Sequence, residues 1–322
     1  MQSHDVWIDI SGKVDLEAEL NTAATVHLPD EIDGPLTILF GYAGGGYARG
    51  YYDIRQLPGY SQAEHHVSRG FAFVACDHLG IGDSSQVDIF DLSFERLAAA
   101  NHHSATTILD RLRTGRLVDG VGPLTVNKVV AMGQSMGGCL LAVQQGLHRT
   151  FDGVAILGYS CVSPSFPAPD GSRVIFPAPP RGSDLRALGL EALSVVAQRM
   201  DLIRYAFHAD DEEPELIEAD MPSAAGREMA PWRSGFAPAC AASMMGEGVV
   251  AAEAAAIDVP VLSASGAIDV VTDPWMEPSA FRSPNDVSVF VVPGMCHMHN
   301  FARTRQLLWE RIDRFAQGVA VG

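Results

Sequence analysis

Apolar residues along this chain fall into short runs, separated by longer stretches in which they recur at helical spacing. "VWIDI" and "ATVHL" come first. "LTILF" (Leu36–Phe40), "FAFVACD" (Phe71–Asp77), "NKVVAMG" (Asn127–Gly133), "FDGVAILGY", "VPVLSASG" and "DVSVFVVPG" follow. Runs this short and this rich in Val and Ile fit strands covered on both faces. Between them, "SQAEHHVSRG", "SFERLAAANHHSATTILDRLRTG", "GGCLLAVQQGLHR" and "FARTRQLLWERIDRFAQG" carry the helical pattern. Strand alternating with helix predicts an α/β fold with a mostly parallel sheet and helices on both its faces.

One region breaks that rhythm. From Cys161 to about Gly182 the chain is rich in proline; a helical pattern follows from Asp184 to Phe207, then the acidic run "ADDEEPELIEAD" and the mixed stretch "PWRSGFAPACAASMM". This reads as an insertion between two sheet strands. It divides the chain into a first core part (1–160), a cap (161–253) and a second core part (254–322). The acidic run lacks the regular oxygen-ligand spacing of a calcium loop and reads as a solvated face.

Composition narrows the partners. The chain has 322 residues, 47% of them hydrophobic, and a formal net charge of −17. That much negative charge disfavours nucleic acid and anionic membranes. No apolar run reaches the length of a bilayer span. The start, "MQSHDVWIDI", lacks the basic and apolar regions of a secretion signal. Five cysteines without paired spacing read as reduced, buried thiols, which places the expected location in the cytoplasm.

The chemistry centres on "GQSMGG", Gly133 to Gly138. Ser135 follows the strand "KVVAM" and precedes a helix. A sharp strand-to-helix turn exposes the serine hydroxyl, and the flanking glycines avoid a collision between Cβ atoms and backbone. The bland alternative is a serine in a glycine-rich turn. A nucleophilic serine needs a base and an acid to orient that base. "VPVLSASGAIDVVTDP" supplies Asp269, with Asp273 as the competing carboxylate, and "VSVFVVPGMCHMHNF" supplies His297, with His299 as a supporting or surface residue. Both stretches end predicted strands, where open α/β sheets place their crevice. The backbone N–H of Met136 and one from the turn "GYAGGGYARG" would form an oxyanion hole, with Gly45 the first choice and Gly46 beside it. That turn has neither phosphate-loop nor dinucleotide spacing, so no cofactor is expected. His297 and His299 alone make no metal site, and the adjacent pairs His65–His66 and His102–His103 lie on predicted helices, where neighbours diverge. No metal is expected.

Together these motifs resemble the α/β-hydrolase family. "DHLGIGDSS" (Asp77–Ser85) adds to the likeness, which runs from about Leu36 to Phe315. The resemblance implies an eight-stranded sheet, a helical cap, Ser135 as nucleophile, His297 as base and Asp269 as acid. Two positions depart from the pattern. Ala43 stands where many members have a histidine, and so does Gln134, before the nucleophile. The implied activity is hydrolysis of a carboxylic ester or lactone of an uncharged, fairly hydrophobic substrate. Acyl transfer and C–C bond hydrolysis use the same triad, and some members of this fold are receptors. Tyr47, Gln134, Trp232 and Phe236 are the expected substrate contacts, with Phe166, Ile175, Phe176, Tyr205, Phe207, Met244 and Met245 as further apolar lining. A homo-oligomer is possible.

Overall fold

Each apolar run is a strand, and each amphipathic stretch between them carries a helix. The computed structural model describes residues 1–193, 198–221, 229–283 and 286–321. In chain order come β1 (Gln2–Asp9), β2 (Asn21–Leu28), β3 (Leu36–Tyr42), α1 (Gln62–Val67), β4 (Ala72–Cys76) and α2 (Phe94–Arg113). Then β5 (Val126–Gln134), α3 (Met136–His148) and β6 (Gly153–Leu157) complete the first part. The insertion holds the two-residue strands β7 (Phe166–Pro167) and β8 (Arg173–Val174), then α4 (Leu185–Leu193), α5 (Met200–Phe207), α6 (Pro214–Asp220) and α7 (Ala251–Ala256). The chain closes with β9 (Val261–Gly266), β10 (Val287–Val292) and α8 (Arg305–Val321).

Eight strands form one sheet in the order β1-β2-β4-β3-β5-β6-β9-β10, and β7 pairs only with β8. β1 and β2 run antiparallel to their neighbours, while every pairing from β4 to β10 is parallel. Successive residues of the central strands face opposite helical layers. Ile38 and Phe40 pack with Leu97, Ile108 and Leu140 under α2 and α3; Leu39 packs with Val130, Met132 and Ile312 under α1 and α8. Burial on both faces is the reason these runs read as continuously apolar rather than alternating.

The order also places the crevice. From β3 the chain goes to β4 on one side, whereas β5 and everything after it lie on the other. The loops leaving β3 and β5 therefore diverge, and ligands of open α/β sheets bind at such a switch point.

Three sequence expectations change in detail. The helical pattern from Asp184 to Phe207 is two helices, and residues 194–197 between them lie outside the described ones, as do 222–228 of the cap. The acidic run is only partly solvated: Glu212 and Asp220 are buried, holding the ring of His208 between them at 2.7 and 2.9 Å. Finally, His65 and His66 converge, because α8 brings one carboxylate to both. His65 Nε2 lies 2.9 Å and His66 Nδ1 2.6 Å from the two oxygens of Asp313. Among the described residues this trio is the only group spaced to hold a metal. Arg69 Nε is 3.2 Å from the same carboxylate, so the charge of Asp313 is already met by a cation and two ring donors. No helix among the described residues is long and apolar enough to cross a membrane.

Candidate active site

β5 ends at Gln134 and α3 begins at Met136, so Ser135 alone makes the turn. Its backbone sits at φ 54° and ψ −119°, a strained conformation for a residue with a Cβ. The turn is tight enough that a Cβ on Gly133 would strike the Gly137 carbonyl, and one on Gly137 would strike that of Tyr42. Close approach of backbone, not positive φ, requires glycine at both positions. The geometry projects the half-buried Ser135 from a floor of fully buried residues.

His297 lies in the loop between β10 and α8. Its Nε2 is 2.9 Å from Ser135 Oγ, and its Nδ1 is 2.6 Å from Asp269 Oδ1. Asp269 follows β9 and is buried. It accepts four hydrogen bonds. Val270 N donates to Oδ1 at 2.7 Å beside His297, while Gly266 N and His299 Nε2 donate to Oδ2, each at 2.8 Å. Burial alone would raise the Asp269 pKa. The facing His297 and the bonds from both histidines outweigh it and hold the carboxyl well below the usual range. Asp269 is therefore a carboxylate that accepts at every position. Asp273, the competing acid of the sequence reading, instead caps the next turn by accepting from Trp275 N at 3.0 Å.

His299 is neither exposed nor idle. It is buried, with Nε2 on Asp269, and its Nδ1 has no partner. The carboxylate thus stands between two imidazoles.

The turn after β3 closes the site on the other side. Tyr47 N donates to the Gly44 carbonyl at 3.1 Å, which folds residues 44–47 into one turn. A Cβ on Gly44 would lie 3.1 Å from Ser135 Cβ, and one on Gly45 would lie 3.5 Å from Met136 Sδ. The Gly44–Gly45 peptide therefore runs beside the serine. Met136 is the first residue of α3, where backbone N–H groups have no helical acceptor.

The expected substrate contacts are arranged differently. Gln134 is buried and its Nε2 donates to the His297 carbonyl at 2.9 Å, so it holds the base loop instead of meeting solvent. Tyr47 is buried, with its hydroxyl donating to Asp220 Oδ2 at 2.6 Å, and Trp232 is buried with Nε1 donating to Asp220 Oδ1 at 2.8 Å. Neither lines the hollow beside Phe236. Phe236 is 60% exposed and lines a surface hollow of about 760 Å³ with Arg49, Asp83 and Arg233. Phe166, Phe176 and Met244 are buried in packing clusters. The apolar cap residues fold the cap because a segment outside the main sheet must bury its side chains against something.

Other residues of the insertion touch these loops, and of them the sequence marked only Phe207, as apolar lining. The guanidinium of Arg173, on β8, donates to the carbonyls of Asp269 (2.6 Å), Val271 (3.0 Å) and Ser165 (2.8 Å). The carbonyls of Ala206 and Phe207 accept from His297 N (2.8 Å) and Met298 N (3.0 Å). The ring of Phe207 lies 4.8 Å from that of His297. All belong to the insertion, and no short-range pattern links them to residues 269 or 297.

No protein-family model matches the chain, and no curated protein matches its sequence. Solved structures do match its fold over nearly the whole length. A thermophilic esterase from Thermogutta terrifontis is 15% identical, with a TM-score of 0.63 and coverage of 99% of this chain and 100% of that one. Proline iminopeptidase from Mycobacterium smegmatis is 16% identical, with a TM-score of 0.58 and 99% of both chains covered. An N-acyl homoserine lactonase is 12% identical, with a TM-score of 0.58 and 98% of both chains covered. With the strand order above, these likenesses show an α/β-hydrolase fold.

Proposed function

We propose that the chain is a serine hydrolase that cleaves a carboxylic ester or lactone through an acyl-enzyme. One observation carries this: a strained turn serine lies 2.9 Å from an imidazole whose other nitrogen is 2.6 Å from a buried carboxylate. A serine hydroxyl is a poor nucleophile until a neutral imidazole takes its proton. In this reading His297 Nε2 accepts the proton as Ser135 Oγ attacks the carbonyl carbon. Asp269 holds the imidazole with its proton on Nδ1 and stabilises the cation that forms. Negative charge developing on the carbonyl oxygen is met by the N–H of Met136 and that of Gly45. His297 then protonates the leaving alcohol. Water, deprotonated by the same ring, releases the acid and frees the serine.

The esterase and the lactonase among the fold neighbours support the ester and lactone classes. The Phe207 ring against His297 favours an apolar group next to the reacting carbonyl. Turnover of a panel of p-nitrophenyl esters, lactones and thioesters tests the reading. Ser135→Ala should keep the fold and lower kcat by roughly 10⁴-fold or more. Hydrolysis of every substrate at wild-type rate by that variant would refute it.

A further inference from the structure

The turn of residues 44–46 poses a mechanical problem. An oxyanion hole works because its donors are fixed before reaction. Yet three consecutive glycines give this turn the most flexible backbone the amino acids allow. Its stiffness must come from outside, and the structure holds the turn from the insertion at Gly46 and Tyr47. Tyr47 sends its hydroxyl to Asp220 of the cap at 2.6 Å, and its backbone pairs with Arg233, whose guanidinium lies 4.5 Å over the Tyr47 ring. Ser234 N donates to the Gly46 carbonyl at 2.8 Å.

Asp220 is itself held. Oδ1 accepts from Trp232 Nε1, and Oδ2 accepts from both Tyr47 and His208 Nε2. On its far side His208 Nδ1 faces Glu212 Oε2 at 2.7 Å, and Glu212 Oε1 accepts from Ala209 N at 3.1 Å. Both nitrogens of the His208 ring thus face carboxylate oxygens, an arrangement that favours its protonated form. His208 directly follows the two carbonyls that hold His297 N and Met298 N. One buried ring therefore sits where the cap grips both the glycine turn and the base loop.

We propose that His208 and Asp220 are positioning residues for the reaction: through Tyr47 they fix the oxyanion turn, and through the 206–207 backbone the loop of His297. This rests on the reading of residues 44–46 as the oxyanion turn. The groups facing the cluster are Glu212, Asp220 and Tyr47, with Arg233 over the tyrosine ring, Tyr51 at 5.6 Å from it, Phe301 against His208, Arg204, which donates to the His208 carbonyl, and the Cys296 thiol, within electrostatic reach of Glu212. The exposed acids Asp210 and Asp211 lie outside it. Burial alone would depress the His208 pKa, and the bonds to Asp220 and Glu212 reverse this and raise it. The imidazolium accordingly persists to higher pH than that of an ordinary histidine and is lost as pH rises through its raised pKa.

The test compares Tyr47→Phe, Asp220→Asn and His208→Gln with the wild type, using p-nitrophenyl butyrate and a p-nitrophenyl alkylphosphonate. Tyr47→Phe removes one hydroxyl and leaves the buried charges balanced, so it should fold. Its kcat and its rate of phosphonylation should each fall about 10-fold, short of the 10²- to 10³-fold seen when an oxyanion donor is deleted outright. KM should stay within about twofold, because the turn meets the developing oxyanion more strongly than the ground state. Asp220→Asn should lower kcat by as much or more. The wild-type kcat should fall as pH rises through the raised His208 pKa, and His208→Gln should lose that fall. If His208→Gln does not fold, the Tyr47→Phe result decides. A Tyr47→Phe enzyme with wild-type kcat and phosphonylation rate, whatever its Tm, overturns the proposal. Phosphonylation of Ser135→Ala would instead overturn the underlying reading of the site, so the two failures are distinguishable.

Discussion

The sheet and the cap are held by different forces. The sheet is an apolar sandwich, in which Phe40, Leu97 and Leu140 on one side and Leu39, Met132 and Ile312 on the other have no exposed surface. The cap adds a small apolar cluster and shares in the sheet's, and it also sends directional polar contacts to three loops. Arg173 holds the loop of Asp269, the carbonyls of Ala206 and Phe207 hold the loop of His297, and Asp220 holds the glycine turn. Apolar packing is non-directional and tolerant, whereas a hydrogen bond fixes an atom to within tenths of an ångström. Changes in the sheet should therefore alter stability and leave rate alone, and changes at the cap's polar contacts should do the reverse.

The largest effect expected lies where the two regions meet. His297→Ala should lower kcat by roughly 10⁴-fold, and adding Ser135→Ala should cost little more, because residues acting as a unit are strongly non-additive. Fully multiplying losses in the double variant would show that the two do not act together. Next, Leu140→Ala in the sheet's core should cost about 2–5 kcal/mol of stability by leaving a cavity under α3, with kcat unchanged below its Tm. A loss of kcat at a temperature where this variant is folded would erase the distinction between the regions.

Arg173→Met should act in the opposite sense. It should lower kcat about 10- to 100-fold, the scale of losing a group that orients an active-site ligand, with a smaller shift in Tm than Leu140→Ala. Comparable falls in both would make Arg173 a simple structural strut. Smaller still, about 10-fold, is the loss expected for His299→Ala, and His299→Gln should recover part of it by donating to Asp269 again. Equal rates in the Ala and Gln variants would mean that the bond to Asp269 carries no weight.

The pH dependence of stability separates the regions once more. Asp269 has a lowered pKa, so its contribution is complete above the ordinary carboxylate range and is lost as pH falls through the folded-state value. His208 has a raised pKa, so its contribution is complete below the unfolded value and is lost as pH rises through the folded one. Tm should therefore decline at both extremes. His208→Gln should flatten only the alkaline decline, and an unchanged alkaline decline would place its origin elsewhere.

Much of this was legible along the chain. The central strands of the sheet stand out as apolar runs because both their faces are covered, whereas the edge strand β1 is largely exposed. Ser135, Asp269 and His297 each lie beyond the end of a strand, in a turn or loop with a local pattern of its own. The cap's role was not legible. Tyr47 and Asp220 are 173 residues apart, and Arg173 and Asp269 are 96 apart. No periodicity connects such pairs. Aromatic residues in the insertion read as pocket lining because apolarity is visible in sequence and burial is not. Trp232 and Tyr47 are anchored inside the protein by their polar atoms. The acidic run misled for the same reason. Exposed and buried carboxylates look alike until a partner such as His208 is seen between them.

The central claim is that Ser135 is made nucleophilic by His297. Its most direct test is labelling by a p-nitrophenyl alkylphosphonate, with the modified residue located by mass spectrometry of the digested protein. The wild type should take up one equivalent, on Ser135, with release of one equivalent of p-nitrophenol. His297→Ala should label at the same residue at least about 10³-fold more slowly, since the serine then lacks its base. Labelling of any other residue, or labelling of Ser135 at an undiminished rate without His297, would contradict the account.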